Sequence, residues 1–189
     1  FMQKINHGIA PVDEPHLQEL ISAHHSKLSA TTNYDEAILN TDVTFVIVPT
    51  PSEKTGVFSN QYILKAVEQI GNSLAKKEDY HLIVITSTVM PGSTGGEIKE
   101  ALEKTAKRKI GPNLGLCYSP EFIALGTVVR NMLFPDMILI GESDKKAGDL
   151  LKKIYLSVCE NKPPVQRMTF VNAEIAKIAV NTFVTTKIS

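Results

Sequence analysis

An α/β fold, a parallel sheet flanked by helices, is what this sequence predicts. Three observations carry the reading: short runs rich in β-branched residues, amphipathic segments between them, and Ser, Thr, Pro and Gly directly after the runs. Residues 43–48 (VTFVIV), 81–85 (HLIVI), 114–118 (LGLCY) and 137–140 (MILI) read as strands, with a weaker fifth at 165–169. Before the first of them, HLQELISAHH after Pro15 and residues 34–40 read as short helices, with His24 and His25 ending the earlier one near its negative pole. Between the first two strands, Ile63, Val67, Ile70 and Leu74 recur at helical spacing behind a cap at Ser59 or Asn60. Ile98, Ala101, Leu102 and Thr105 repeat the pattern between the second and third. After the fourth, Asp144 is placed to cap a helix whose inner face is Ala147, Leu150, Leu151, Ile154 and Val158, with its lysines on the wet side. A last helix begins after Phe170 and runs on to Ser189, and its composition predicts burial on most sides.

Composition narrows the function classes. A chain of 189 residues with 43% hydrophobic and 21% charged residues has enough apolar material for a one-domain core. Twenty basic side chains balance twenty acidic ones, so no net field gathers nucleic acid or an anionic membrane. No apolar stretch approaches the roughly 20 residues of a membrane helix, and the start has no signal-peptide core. Cys117 and Cys159 lie too far apart for a disulfide framework or a zinc site, and the five histidines add no ligand spacing. A reducing, cytoplasmic setting without a bound metal is the expectation.

In open α/β sheets ligands collect beyond the carboxyl ends of the strands, where loops leave backbone N–H groups facing a crevice. Pro49-Thr50-Pro51 follows the first strand, Ser87-Thr88-Val89-Met90-Pro91-Gly92 the second, and Ser119-Pro120-Glu121-Phe122 the third. Glu121 is the most pointed of these. A carboxylate directly after a buried strand and before Phe122, Ile123 and Ala124 is desolvated unless something meets it. It either serves as a general base or caps a helix beginning near Ala124. On the last helix Glu174, Lys177, Asn181 and Thr185 fall on one face. Lys177 and Asn181 could steady a developing alkoxide there, or Glu174 and Lys177 could form an ordinary surface ion pair. The glycines at 92, 95 and 96 follow a strand but have the wrong spacing for a phosphate cradle, and Cys117 reads as core.

The ordered segments EPHLQELI, LSATTNYDEAI, TDVTFVIVPTPS, VITSTVMPGST, YSPEFIALG, FPDMILIGES and NAEIAKIAVNTFVTTKIS resemble the UDP-glucose/GDP-mannose dehydrogenase family across nearly the whole chain. The resemblance implies a partial Rossmann-like parallel sheet with flanking helices, ending in the start of a long central helix. The strand, G-x-G-x-x-G turn and helix that open such a fold are not found in this sequence. Residues 1–169 would form an incomplete NAD-binding domain, and residues 170–189 the start of a dimerisation-type helix. It further implies NAD as cofactor, met by Pro49, Thr50, Ser87, Thr88 and Glu121. Glu121, Lys177, Asn181 and Thr88 would be catalytic, and Glu121, Phe122, Ile123, Lys177 and Asn181 would meet a UDP-sugar. The family oxidises the C6 alcohol to the acid in two hydride transfers through a thioester on a later, glycine-flanked cysteine, which neither Cys117 nor Cys159 matches. The isolated chain is therefore expected to be inactive. Phe122 resembles the glucose-type enzymes, while Leu125, Asn131 and Met137 depart from many of them. UDP-glucose is the preferred substrate on this reading. An uncovered strand edge predicts a homodimer or a swapped sheet. Two other readings stand beside it: a non-catalytic nucleotide-sugar binding module, and a dehydrogenase of the 6-phosphogluconate or hydroxyacid type.

Overall fold

The β-branched runs pair as expected at the middle of the sheet. In the computed structural model, which describes residues 1–53 and 56–188, strands β1 (Val43–Val46), β2 (His81–Ile85), β3 (Leu114–Tyr118), β4 (Ile138–Glu142) and β5 (Val165–Met168) lie in that spatial order. Alternate residues of β2 serve opposite faces. Ile83 and Ile85 join one apolar cluster, and Leu82 and Val84 the other. The first face is covered by α4 (Gln61–Leu74) and α5 (Lys99–Ala106), the second by α7 (Lys145–Val158). Ile63, Val67, Leu74, Ile98 and Leu102 are fully buried there, each contributing roughly 2 kcal/mol of transfer free energy to the sandwich. Asp144 caps α7 through Ala147 N–H as its spacing predicts, although Val158 at the far end is exposed. Asn60 stands at the N-cap of α4 without making a cap bond, because its amide donates instead to Ser93 Oγ and Glu97 Oε1. Toward the start of the chain lie the short helices α1 (Met2–Asn6), α2 (Leu17–His24) and α3 (Tyr34–Leu39).

The expectation of a parallel sheet needs one correction. β1, β2 and β3 are parallel, and so are β4 and β5, but β4 runs antiparallel to β3. The reason is the connection. A parallel crossover has to carry the chain back along the whole sheet, usually on a long helix, whereas here the link holds only α6 (Val128–Leu133). The chain stays at the carboxyl rim and β4 starts from there. Just two residue pairs, Cys117 with Glu142 and Tyr118 with Gly141, join β3 to β4. The rest of the β4–β5 pair thus extends beyond that rim and forms a wall above it.

The last helix, α8 (Phe170–Ile188), departs from expectation too. Ala173, Glu174 and Lys177 are buried against the body, but everything from Asn181 to Ile188 is exposed, Phe183 and Ile188 among them. The helix outruns the domain after about two turns, so its apolar residues there meet nothing in this chain. Ser189, through which the sequence reading carries the helix, lies outside the described residues. At the other side of the sheet, β1 has no outer neighbour among the described residues, and Phe45 and Ile47 face solvent. Among the described residues, no helix is long and apolar enough to cross a membrane.

Candidate active site

Three loops leave the carboxyl ends of β1, β2 and β3 side by side, because those strands are parallel neighbours. After β1, Val48 is tied to the next loop by Ser87, whose hydroxyl donates to Val48 C=O at 2.7 Å and accepts from Val48 N–H at 2.8 Å. One side chain thus extends the pairing of β1 and β2 beyond their last ladder bond and fixes the approach of Pro49 and Thr50. Thr50 and Thr88 are half-buried at adjacent strand ends, and among the described residues neither hydroxyl has a partner. Pro49 is exposed.

The loop after β2 closes at Gly92, whose φ of +92° belongs to the left-handed half of backbone space where glycine carries no steric penalty. A π-type turn, Thr94–Ile98, then leads into α5. The N–H groups at its start are not open to an anion. Glu174 Oε2 accepts from Gly92 N–H at 2.6 Å and Oε1 from Thr94 N–H at 2.8 Å. Glu174 is fully buried, so these two donors take the place of water around its charge.

One turn further along α8, Lys177 reaches the loop after β3. Its ammonium donates to the backbone carbonyl of Glu121 and lies 4.6 Å from the centre of the Phe122 ring. Burial pushes the Lys177 pKa down, with the Glu121 charge pulling back. Burial pushes the Glu121 pKa up, with Lys177 opposing it. Among the described residues the Glu121 carboxylate accepts no hydrogen bond. The helix-cap reading of Glu121 does not hold, since residues 121–126 are not helical and α6 begins at Val128 behind Thr127. Nor is there a Glu174–Lys177 surface pair, because each side chain is taken by a different loop.

Glu121, Phe122 and Ile123 line a cavity closed on its far side by Pro135, Met137 and Tyr155, with Val180 of α8 at its edge. The antiparallel course of β4 is what brings 135–139 there. Asn181 is not brought into this cluster; it is exposed and lines a shallow depression with Phe58 and Ile178. Sequence reasoning missed Tyr155, whose hydroxyl is 3.0 Å from Ser119 Oγ and whose pKa burial pushes up to about 12. It sits on the apolar stripe of α7 and carries no motif. Both cysteines are buried; Cys117 lies inside β3 with its pKa pushed up to about 12 by burial, so it is no nucleophile at neutral pH. Among the described residues no cluster of three or more His, Cys, Asp or Glu could hold a metal ion.

Residues 2–159 match the UDP-glucose/GDP-mannose dehydrogenase family, NAD binding domain. The chain is 38% identical over 188 residues to a UDP-glucose 6-dehydrogenase of Haloferax volcanii, covering 98% of this chain and 44% of that protein. It is 35% identical over 187 residues to a GDP-mannose 6-dehydrogenase of Pseudomonas aeruginosa, covering 98% of this chain and 42% of the relative. The crystal structure of a ternary complex of the GDP-mannose dehydrogenase from that organism superimposes with a TM-score of 0.93 at 34% identity, over 99% of this chain and 43% of the other. A UDP-glucose dehydrogenase from Pyrobaculum islandicum gives a TM-score of 0.85 at 31% identity, over 96% and 41%. The chain thus spans less than half the length of the curated relatives it matches.

Proposed function

The chain belongs to the UDP-glucose/GDP-mannose dehydrogenase family, whose domain here is the NAD-binding one, and from that membership we propose that it supplies the NAD side and part of the sugar side of a nucleotide-sugar 6-dehydrogenase. The observation that carries this is the cluster at the rim of β3, where Lys177 spans the Glu121 carbonyl and the Phe122 ring. A buried ammonium with a lowered pKa donates strongly to an oxygen that gains negative charge. A carboxyl group with a raised pKa is suited to accept a proton from a sugar hydroxyl, or to position the water of the hydrolytic step. The hydroxyls of Thr50 and Thr88, at adjacent strand ends and without a partner among the described residues, fit the polar parts of a dinucleotide lying across β1 and β2. When bound, NAD would accept the hydride in each oxidation. Asn181 joins the site if a nucleotide sugar extends along α8 past Lys177.

UDP-glucose is our preferred substrate, on the phenylalanine at 122, with GDP-mannose the rival raised by the relatives of comparable identity. Neither cysteine lies at the crevice to carry a thioester, so the chain on its own is expected to form no acid. We also propose a homodimer, resting on the uncovered β1 edge and the exposed apolar residues of α8. The test is calorimetric titration of the chain with UDP-glucose and with GDP-mannose, beside Lys177→Ala, together with absorbance of NADH. Weaker sugar binding in the variant and no NADH from the chain alone are expected. Equal binding by both proteins would overturn the assignment of the site.

A further inference from the structure

The loop that carries Glu121 is held at two ends, and its second holder lies far away in sequence. At the near end Lys177 grips the Glu121 carbonyl. At the far end Glu14 Oε2 accepts from Gly126 N–H at 3.1 Å and Oε1 accepts from Val128 N–H at 2.7 Å, across sequence separations of 112 and 114 residues. Between them lie Phe122 and Ile123, which line the cavity, and Leu125, which is 94% exposed and holds nothing. Gly126 has φ +84° with open space around it, so its role is backbone conformation and not close approach. That conformation turns two N–H groups the same way, toward one carboxylate.

We propose that Glu14 is a positioning residue for the sugar side of the site, setting the shape of residues 121–126 from outside. The idea rests on the proposed function for the identity of that site. No cation lies within ion-pair distance of Glu14 among the described residues, so the two N–H groups account for its carboxylate. Among the described residues, the hydrogen bonds that tie residues 1–30 to anything beyond residue 40 run through Glu14. If the segment served only to cover the domain, its one long-range polar tie would not have to end on the loop that carries Glu121.

The isosteric variant Glu14→Gln is the sharpest probe. Its amide accepts from one N–H but turns its own NH2 toward the other, so the bidentate clip is lost while size is kept. In the full chain, NMR amide exchange at Gly126 and Val128 should quicken about tenfold, with Gly92 and Thr94 unchanged as internal controls. UDP-glucose affinity, by calorimetry, should fall about tenfold with NAD affinity within a factor of about two. Glu14→Asp, which keeps the charge on a shorter arm, should recover part of both effects. Unchanged exchange at both amides overturns the proposal whatever the sugar result. Quickened exchange with unaltered sugar affinity overturns it too, since the clip would then serve the loop and not the site. A wild-type chain that binds no nucleotide sugar sinks the proposed function itself, and with it the site Glu14 is held to serve; that failure is recognised before any variant is made.

Discussion

The loops after β2 and β3 are fastened by the same bond pattern, and the comparison is instructive because the fasteners differ. In each, a glycine at positive φ and the residue two further on point their N–H groups at one carboxylate. For the β2 loop the carboxylate is Glu174, fully buried on a helix packed against the sheet. For the β3 loop it is Glu14, half-buried on a segment of short helices. The same chemistry therefore has different consequences. Removing Glu174 leaves the buried Thr94 N–H where water cannot reach it, whereas removing Glu14 leaves the N–H groups of Gly126 and Val128, neither of them a buried residue, for water to satisfy. The first clip belongs mainly to stability and the second mainly to the shape of the site.

The sharpest break of this comparison is Glu174→Ala. The buried Thr94 N–H and the N–H of the exposed Gly92 lose a charged acceptor, and unfolding in urea should show a loss of about 2–4 kcal/mol. A loss below about 1 kcal/mol would mean that the loop simply relaxes. Next come Gly92→Ala and Gly126→Ala, each forced to hold a side chain at positive φ at a cost of about 1–2 kcal/mol. Thermal melts should rank both well short of Glu174→Ala. Glu14→Ala should cost about 1 kcal/mol or less in the same urea experiment; a loss matching that of Glu174→Ala would erase the distinction between the clips. The smallest effect is electrostatic. Glu121 has its folded pKa raised by burial above the ordinary 4.5, so its protonated form stabilises the fold below that value and the benefit is lost as pH rises through the folded pKa. Glu121→Gln should accordingly be more stable than the parent at neutral pH, with the gap closing as pH falls toward 4.5 in paired melts.

Lys177 and Glu121 were each legible as candidates because each stands at a position where burial and charge conflict, Glu121 directly after a strand and Lys177 on a polar stripe of an apolar helix; only the family resemblance named them together. Their contact was legible only in outline, since the bond runs to the carbonyl of Glu121 and not to its carboxylate. Glu14 was invisible as a site residue, because a carboxylate in an exposed polar stretch looks like any solvated acid. Asn181 shares a helix face with Lys177, as its spacing predicts, but it is exposed, because the wall that buries Lys177 does not reach one turn further.

What the sequence determined by itself is local: runs rich in β-branched residues become strands, and 3.6-period stripes become the helices that cover them. These follow from sterics and from burying apolar surface, and each acts within a few residues. The tertiary structure alone decided that β4 turns antiparallel, that Tyr155 reaches the cavity, and that Glu14 and Glu174 find their N–H pairs. Those outcomes depend on groups up to 114 residues apart meeting in space, and no local pattern encodes such a meeting.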